Sequence, residues 1–265
     1  VSTIDLLLKS LQADAPVRQV LVGAFWTAVV TDNDPPRCGL ASTVRGENHE
    51  DRPPVPDAGH LREHSARGLA ERLRSPRTLE ASIGMAAFNA LLEVEESSCI
   101  EVNAEEVIVE KGAGRRVAVV GHFPFVERLR QAADECWVVE QHPRPGDLSA
   151  DRAAEVLPQA DVVALTGTSL INHTFDDLVR LCQPDAYVLL LGPSAPLTPL
   201  LFEAGVDAVS GTVVTDPDRV LAALTQGATF RQIKRTGGLR LLTMMRNTQH
   251  ATHNTQHATP ETLRR

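Results

Sequence analysis

The chain has 265 residues, 43% of them apolar and 23% charged, with only 4% aromatic. These values exclude a disordered or fibrous chain and predict an aliphatic core in one large domain or two ordinary ones. The formal net charge is −8, and the 23 Arg and 3 Lys form no basic run, which argues against nucleic acid or a membrane surface as partner. The longest apolar stretch, near residues 20–30, is too short to cross a bilayer, and no signal peptide is visible. Cys38, Cys99, Cys136 and Cys182 form no C-x-x-C pair, so reduced thiols and a cytoplasmic location are expected.

Residues 17–31 are rich in Val, Phe, Trp and Thr and predict a strand interrupted at Gly23 and Ala24. Asn33-Asp34-Pro35-Pro36 carries turn chemistry, and residues 37–45 predict a second strand. Pro53, Pro54 and Pro56 mark a loop. Residues 61–73 then read as one helix, and a second begins at Ser75 or Thr78 and runs to Leu91. Residues 104–116, charged and then Gly-containing, read as a domain boundary. Beyond it the rhythm changes. Strands at 117–120, 136–140, 161–166, 187–191 and 208–214 alternate with helices at 125–133, 153–160, 174–181, 197–204 and 217–226. Short aliphatic strands alternating with helices predict a Rossmann-like parallel sheet with right-handed crossovers.

Asn247-Thr248-Gln249-His250-Ala251-Thr252 recurs as Asn254-Thr255-Gln256-His257-Ala258-Thr259. This polar repeat has no apolar face, and disorder is expected from about residue 244. The reading is therefore an α/β protein: a small α+β domain over 1–103, a Rossmann-like domain over 104–236, and a low-complexity tail over 237–265. The first segment carries 10 basic and 15 acidic side chains and the second 12 and 18, so together they carry −11. A charge of that sign suits a cationic ligand better than an anionic one.

Open α/β sheets bind ligands beyond the carboxyl ends of their strands. Four such loops can be read: Gly121-His122-Phe123-Pro124, Glu140-Gln141-His142-Pro143, Thr166-Gly167-Thr168-Ser169 leading to Asn172-His173-Thr174, and Gly192-Pro193-Ser194. Glycines and hydroxyls in these loops let backbone N–H groups approach a ligand, although the same residues also cap helices and turn the chain. The loop after the first of these strands lacks G-x-G-x-x-G, which counts against NAD. Glu140 nevertheless lies 19 residues after Gly121, where an acid would hold a ribose, so an S-adenosylmethionine-type nucleoside cofactor stays open.

His122 and His173 fall in strand-end loops. With Glu140 or Cys38 they would supply the mixed N/O/S donors that borderline transition metals accept, or they are hydrogen-bonding loop residues. His60-Leu61-Arg62-Glu63-His64 matches H-x-x-E-H, but its setting is polar and follows a Pro-rich loop. No G-x-S-x-G elbow or Walker A loop is present.

Val119-Val120-Gly121-His122-Phe123-Pro124, Ala160-Asp161-Val162-Val163-Ala164-Leu165-Thr166-Gly167-Thr168, Ile171-Asn172-His173-Thr174 and Leu191-Gly192-Pro193-Ser194 together resemble the heavy-metal-chelation family. Cys38-Gly39-Leu40-Ala41 and Ser82-Ile83-Gly84-Met85-Ala86-Ala87-Phe88-Asn89-Ala90 resemble its N-terminal module. The resemblance implies an enolase-like N-terminal domain packed on a Rossmann-like one. It also implies a site in the interdomain cleft, with Asn89 the helix residue facing it. The leading expectation is binding of a transition metal or a small metal-chelating metabolite there. An enzyme using a nucleoside-containing cofactor and a non-catalytic assembly protein are the alternatives, and a homodimer is the default assembly.

Overall fold

The computed structural model describes residues 1–46 and 53–246, so the His-containing repeat lies outside the described residues. The N-terminal part opens with helix Thr3–Ser10, whose first turn is capped by the Ser2 hydroxyl accepting from the Asp5 amide at 3.2 Å. Strands β1 (Val17–Val22), β2 (Trp26–Thr31) and β3 (Cys38–Ser42) form an antiparallel sheet in that order. The interruption expected at Gly23 and Ala24 is the β1–β2 hairpin, closed by the Gly23 amide donating to the Trp26 carbonyl at 2.9 Å.

Helix Thr78–Leu91 lies against this sheet and is buried along every residue from Ala81 to Phe88. Ala, Ser and Gly make that possible, because small side chains let backbone approach backbone. A Cβ on Gly39 of β3 would stand 2.1 Å from the Ala86 carbonyl oxygen. On the opposite side, a Cβ on Gly84 would stand 2.2 Å from the Leu73 amide nitrogen. The segment read as one helix over 61–73 is instead a 3-10 turn (Leu61–Glu63), a short helix (Ala66–Ala70) and a second 3-10 turn (Glu71–Arg74). Ser65 breaks it: its backbone is extended, and its hydroxyl caps the helix by accepting from the Gly68 amide.

The C-terminal part is an eight-stranded sheet. Its strands are β4 (Cys99–Ile100), β5 (Arg116–Val120), β6 (Glu135–Glu140), β7 (Leu148–Ser149), β8 (Val162–Thr166), β9 (Tyr187–Leu191), β10 (Ala208–Val214) and β11 (Leu239–Met245). The order is β4-β11-β10-β9-β8-β5-β6-β7. Pairing is parallel from β10 through to β7, while β11 runs antiparallel to both β10 and β4. The sheet is thus mostly parallel, as expected, with an antiparallel edge.

Two boundaries shift. Residues 104–116 hold helix Ala104–Gly112, with Asn103 as N-cap, Glu105 and Glu106 in the first turn and Lys111 in the last. That charge order complements the helix dipole, while Val107 and Ile108 supply the buried face. The tail assigned to 237–265 begins too early. All seven residues of β11 pair with β10, and Leu239, Leu242 and Met244 are buried. Helix Phe230–Arg235 precedes it, entered through Thr229, whose amide donates to the Gln232 side chain at 2.9 Å.

One apolar cluster runs through both parts, joining Leu7, Met85 and Phe88 to Val163, Leu165 and Leu201. A separate cluster joins Ala28, Val30, Cys38 and Leu40 of the small sheet to Val220, Leu224, Ile233 and Leu239. Among the described residues no helix is long and apolar enough to cross a membrane. Gly39→Ala is expected to lower stability by about 1–3 kcal/mol or more, since backbone and not a flexible side chain occupies the space; thermal denaturation against wild type measures it.

Candidate functional site

The chain leaves β5 for β6 on one side and returns to β8 on the other. The loops after β5 and β8 therefore diverge, and a crevice opens between them. A cavity of about 790 Å³ fills it. Gly121, Glu140, Thr166, Gly167, Thr168, Asn172, Gly192, Pro193 and Ser194 all line it, and so does His122. Trp26, Ser42 and Val44 reach it from the small sheet, and Ser210, Gly211 and Thr212 from β10. Volumes of this order accommodate small organic molecules.

Two glycines shape the wall. Gly192 has φ +110°, a left-handed conformation that other residues rarely adopt, and a Cβ there would meet nothing within 4 Å. Gly167 lies against the chain at Ser194 and Ala195, where a Cβ would stand 2.5 Å from the Ala195 amide nitrogen. Ser194 is 1% exposed. Its hydroxyl accepts from the Ser42 amide at 2.8 Å and donates to the Ser42 hydroxyl at 3.1 Å. Asn89, on helix Thr78–Leu91, donates to the Leu40 carbonyl at 2.9 Å and reaches the Pro193 carbonyl at 3.5 Å. It is a seam residue beside the cavity, and its Oδ1 is buried without a partner among the described residues.

The loop after β8 contains a single helical turn, Thr168–Ile171. Asn172 closes it, with its amide nitrogen oriented to donate to the Ser169 carbonyl (3.0 Å) and the Thr174 hydroxyl (2.7 Å). Thr166 and Thr168 bond each other through their hydroxyls. Much of this loop's polarity is therefore spent on local capping.

The charged groups in the wall are also engaged. Glu140 takes the His122 amide on Oε1 (2.8 Å) and the Gln141 amide on Oε2 (3.0 Å). Glu105 pairs with Arg128 at 3.0 Å. The His122 ring meets Asp147 through Nδ1 at 3.0 Å. Asp147 has a side chain 1% exposed and also receives the Arg144 amide (3.2 Å) and Arg130 (3.3 Å). Burial acts to raise the Asp147 pKa, but the Arg144 amide, the His122 ring and the Arg130 charge outweigh it, and the net shift is downward. An ionised Asp147 fixes the proton of His122 on Nδ1 and leaves Nε2 as the ring's acceptor. Phe123 and Phe125 stack beside this histidine with centroids 5.2 Å apart, and Trp26 packs on Phe230.

Other residues chosen from sequence lie elsewhere. Cys38 sits in the cluster between β3 and helix Pro217–Thr225, where burial pushes its thiol up to about 12. It is a core residue, and no thiolate is available from it. His173 has φ +62°, and its Nε2 bonds the Leu73 carbonyl at 2.8 Å, tying the two parts together away from the cavity wall. His60 meets Glu63, and His64 meets Asp57 beside Arg72, so the H-x-x-E-H histidines face different partners. Among the described residues no group of three or more His, Cys, Asp or Glu side chains could hold a metal.

Sequence reasoning missed Asp147, Arg231, Lys234 and Trp26. Asp147 follows Arg144-Pro145-Gly146, a turn in the loop after β6, and that position at a strand's carboxyl end was a usable signal. Trp26 reads as an ordinary strand aromatic, and Arg231 and Lys234 sit on a helix too short to stand out.

A mixed α/β fold, with a mostly parallel eight-stranded sheet and a separate small antiparallel sheet, defines the class. Two family models, both described as "Putative heavy-metal chelation", match residues 4–92 and 103–243, and the chain belongs to that family. The uncharacterised protein MJ0500 of Methanocaldococcus jannaschii is 29% identical over 155 residues, which is 55% of this chain and 59% of that relative. The chain thus aligns with less than two thirds of that relative's length. A DUF364-family protein of unknown function from Desulfitobacterium hafniense superposes with a TM-score of 0.78 at 24% identity, over 92% of this chain and 97% of that one. Another from Pyrococcus horikoshii gives 0.76 at 18%, over 92% and 98%. At such identities the likeness establishes the fold.

Two outcomes are expected. Iodoacetamide at about pH 8 should leave Cys38 unmodified in the folded protein and alkylate it after unfolding, as peptide mass mapping would show. Asp147→Asn should destabilise the protein fully at about pH 5. Because its folded pKa lies below 3.8, its carboxylate stabilises above that value and loses the contribution as pH falls through the folded pKa. The stability gap between wild type and variant should therefore shrink only below about pH 4, as denaturant titrations at each pH would reveal.

Proposed function

We propose that the cavity binds a transition metal as a complex with a small organic chelator, with His122 the one protein donor suited to touch the ion. Family membership supports a metal-handling role. A bare ion does not fit the described residues. Structural and catalytic sites for such ions take three or four protein donors, and the cavity wall offers a single uncommitted imidazole nitrogen. A chelator would bring the remaining donors, and the cavity has room for one. The observation that carries this reading is the His122–Asp147 pair. Metal-bound histidines commonly give their second ring N–H to a carboxylate, which fixes ring and tautomer.

The nucleoside-cofactor reading is weaker. Each Glu140 oxygen already accepts a backbone amide, which leaves fewer of its lone pairs for ribose hydroxyls.

Native mass spectrometry and metal analysis of untagged protein test the proposal, beside Thr212→Trp, which fills the cavity, and Asp147→Asn. Wild type should carry a metal together with an organic mass, and Thr212→Trp should carry neither. Asp147→Asn should weaken binding of the complex by about 10–100-fold. A bare metal at equal stoichiometry in wild type and Thr212→Trp would sink the proposal.

A further inference from the structure

We infer that the ligand of this cavity is anionic, and that Arg231 and Lys234 receive its carboxylate or phosphate groups. The inference rests on the reading above only in taking the cavity as the binding site.

The charges of the wall can be accounted for singly. Glu105 is paired with Arg128 and His122 is held by Asp147, while Glu140 has no ion pair among the described residues and is fixed by two backbone amides. Arg231 and Lys234 are the cations of the wall. Both line the cavity from helix Phe230–Arg235, both are exposed, and neither has an ion-pair partner among the described residues. They stand three residues apart, a spacing that puts two side chains on one helix face. Of the nearby cations, Arg219 pairs with Asp216, Arg240 with Glu96 and Glu101, and Arg246 with Asp207, while Arg235 on the same helix does not line the cavity.

The sequence around them is depleted in the opposite charge. Between Asp218 and Glu261 there is no acidic residue, in a chain whose net charge is −8. No carboxylate of this segment competes for the two cations. The same wall holds a further donor that has no acceptor among the described residues, the buried indole nitrogen of Trp26, which packs on Phe230 at the start of that helix. Indole N–H groups only donate. The uncommitted polar groups on this side of the cavity are thus two cations, the indole donor and the Thr212 hydroxyl, with no free carboxylate among them.

This reverses the expectation of a cationic ligand drawn from the −11 of residues 1–236. Net charge sets the far field, whereas a ligand in the cavity meets the nearest unpaired groups, and on the side of helix Phe230–Arg235 these are positive. A metal complex compatible with this wall carries more carboxylate or phosphate charge than its ion neutralises.

Calorimetric titration of the full chain with citrate, with inorganic pyrophosphate and with nickel(II) citrate tests the inference, in wild type, in R231A/K234A and in R231K/K234R. Wild type should bind at least one of these anions, and the stronger of citrate and pyrophosphate identifies the group recognised. Each cation removed should raise the dissociation constant about tenfold, so about 100-fold for the double alanine variant. R231K/K234R should retain most of the affinity, and added salt should weaken wild type more than R231A/K234A. Failure of wild type to bind any of the three, or equal affinity in wild type and R231A/K234A, overturns the inference. A metal complex lost in Thr212→Trp but held equally by R231A/K234A fails this inference alone. Absence of any metal complex fails the earlier reading, and the anion titrations still decide this one.

Discussion

Ser194 and Ser42 hold the molecule's central seam. One buried hydroxyl accepts an amide and donates to a second hydroxyl, and it does so across the junction between the small sheet and the loop after β9. A buried hydroxyl without partners costs on the order of 1–3 kcal/mol, so each side of the junction stabilises the other. Gly167 lets the loop after β8 lie directly on the chain at Ser194, and Gly39 lets β3 lie directly on the helix that carries Asn89. These contacts roof the switch-point crevice. Without them the strand ends of the large sheet would face an open groove, as in a bare Rossmann-like unit.

The roofed cavity has an uneven electrostatic character that follows from who is already bonded to whom. Carboxylates dominate the composition, yet those at the cavity are spent on Arg128 and on backbone amides. Asp147 is buried behind His122 and serves as an orienting group, held ionised by an amide and two cationic or hydrogen-bonding side chains. What faces a ligand is the other edge of the imidazole, an aromatic pair, hydroxyls, and the two cations of the Phe230–Arg235 helix. Donor-rich and largely apolar walls of this kind orient an organic molecule; they do not build a coordination shell.

The large sheet was legible in the sequence because its strands are short aliphatic runs ending in Gly, Thr or Glu, and buried parallel strands need no alternation. The same logic located the cavity-lining loops at Gly121, Glu140, Thr166 and Gly192. It failed where tertiary partners decide the outcome. Cys38 and His173 have the right chemistry for ligands, but one side chain points into a cluster completed by residues from Val220 onward, and the other into the Leu73 carbonyl. Both partners are remote in sequence, so no local pattern announces them. β11 escaped notice for a related reason: Leu239–Met245 lies beside a low-complexity repeat, and its strand character comes from pairing with β10. Residues 104–112 read as a linker because their four charges mask the buried pair Val107 and Ile108.

The placement of β11 also explains how the cationic wall arises. An antiparallel strand added to the edge of a parallel sheet must be reached by a reversal of the chain, and here the connection is helix Pro217–Thr225 followed by Thr229 and the helix Phe230–Arg235. The reversal occurs over the carboxyl end of β10, the side on which a sheet of this kind holds its ligand. Ile233 anchors the helix in the cluster shared with β2 and β3, which turns positions 231 and 234 away from that core and toward the cavity rim. The edge strand beyond the parallel core thus supplies the groups that set the ligand's charge, while the switch point at β5 and β8 supplies the space and the oriented imidazole.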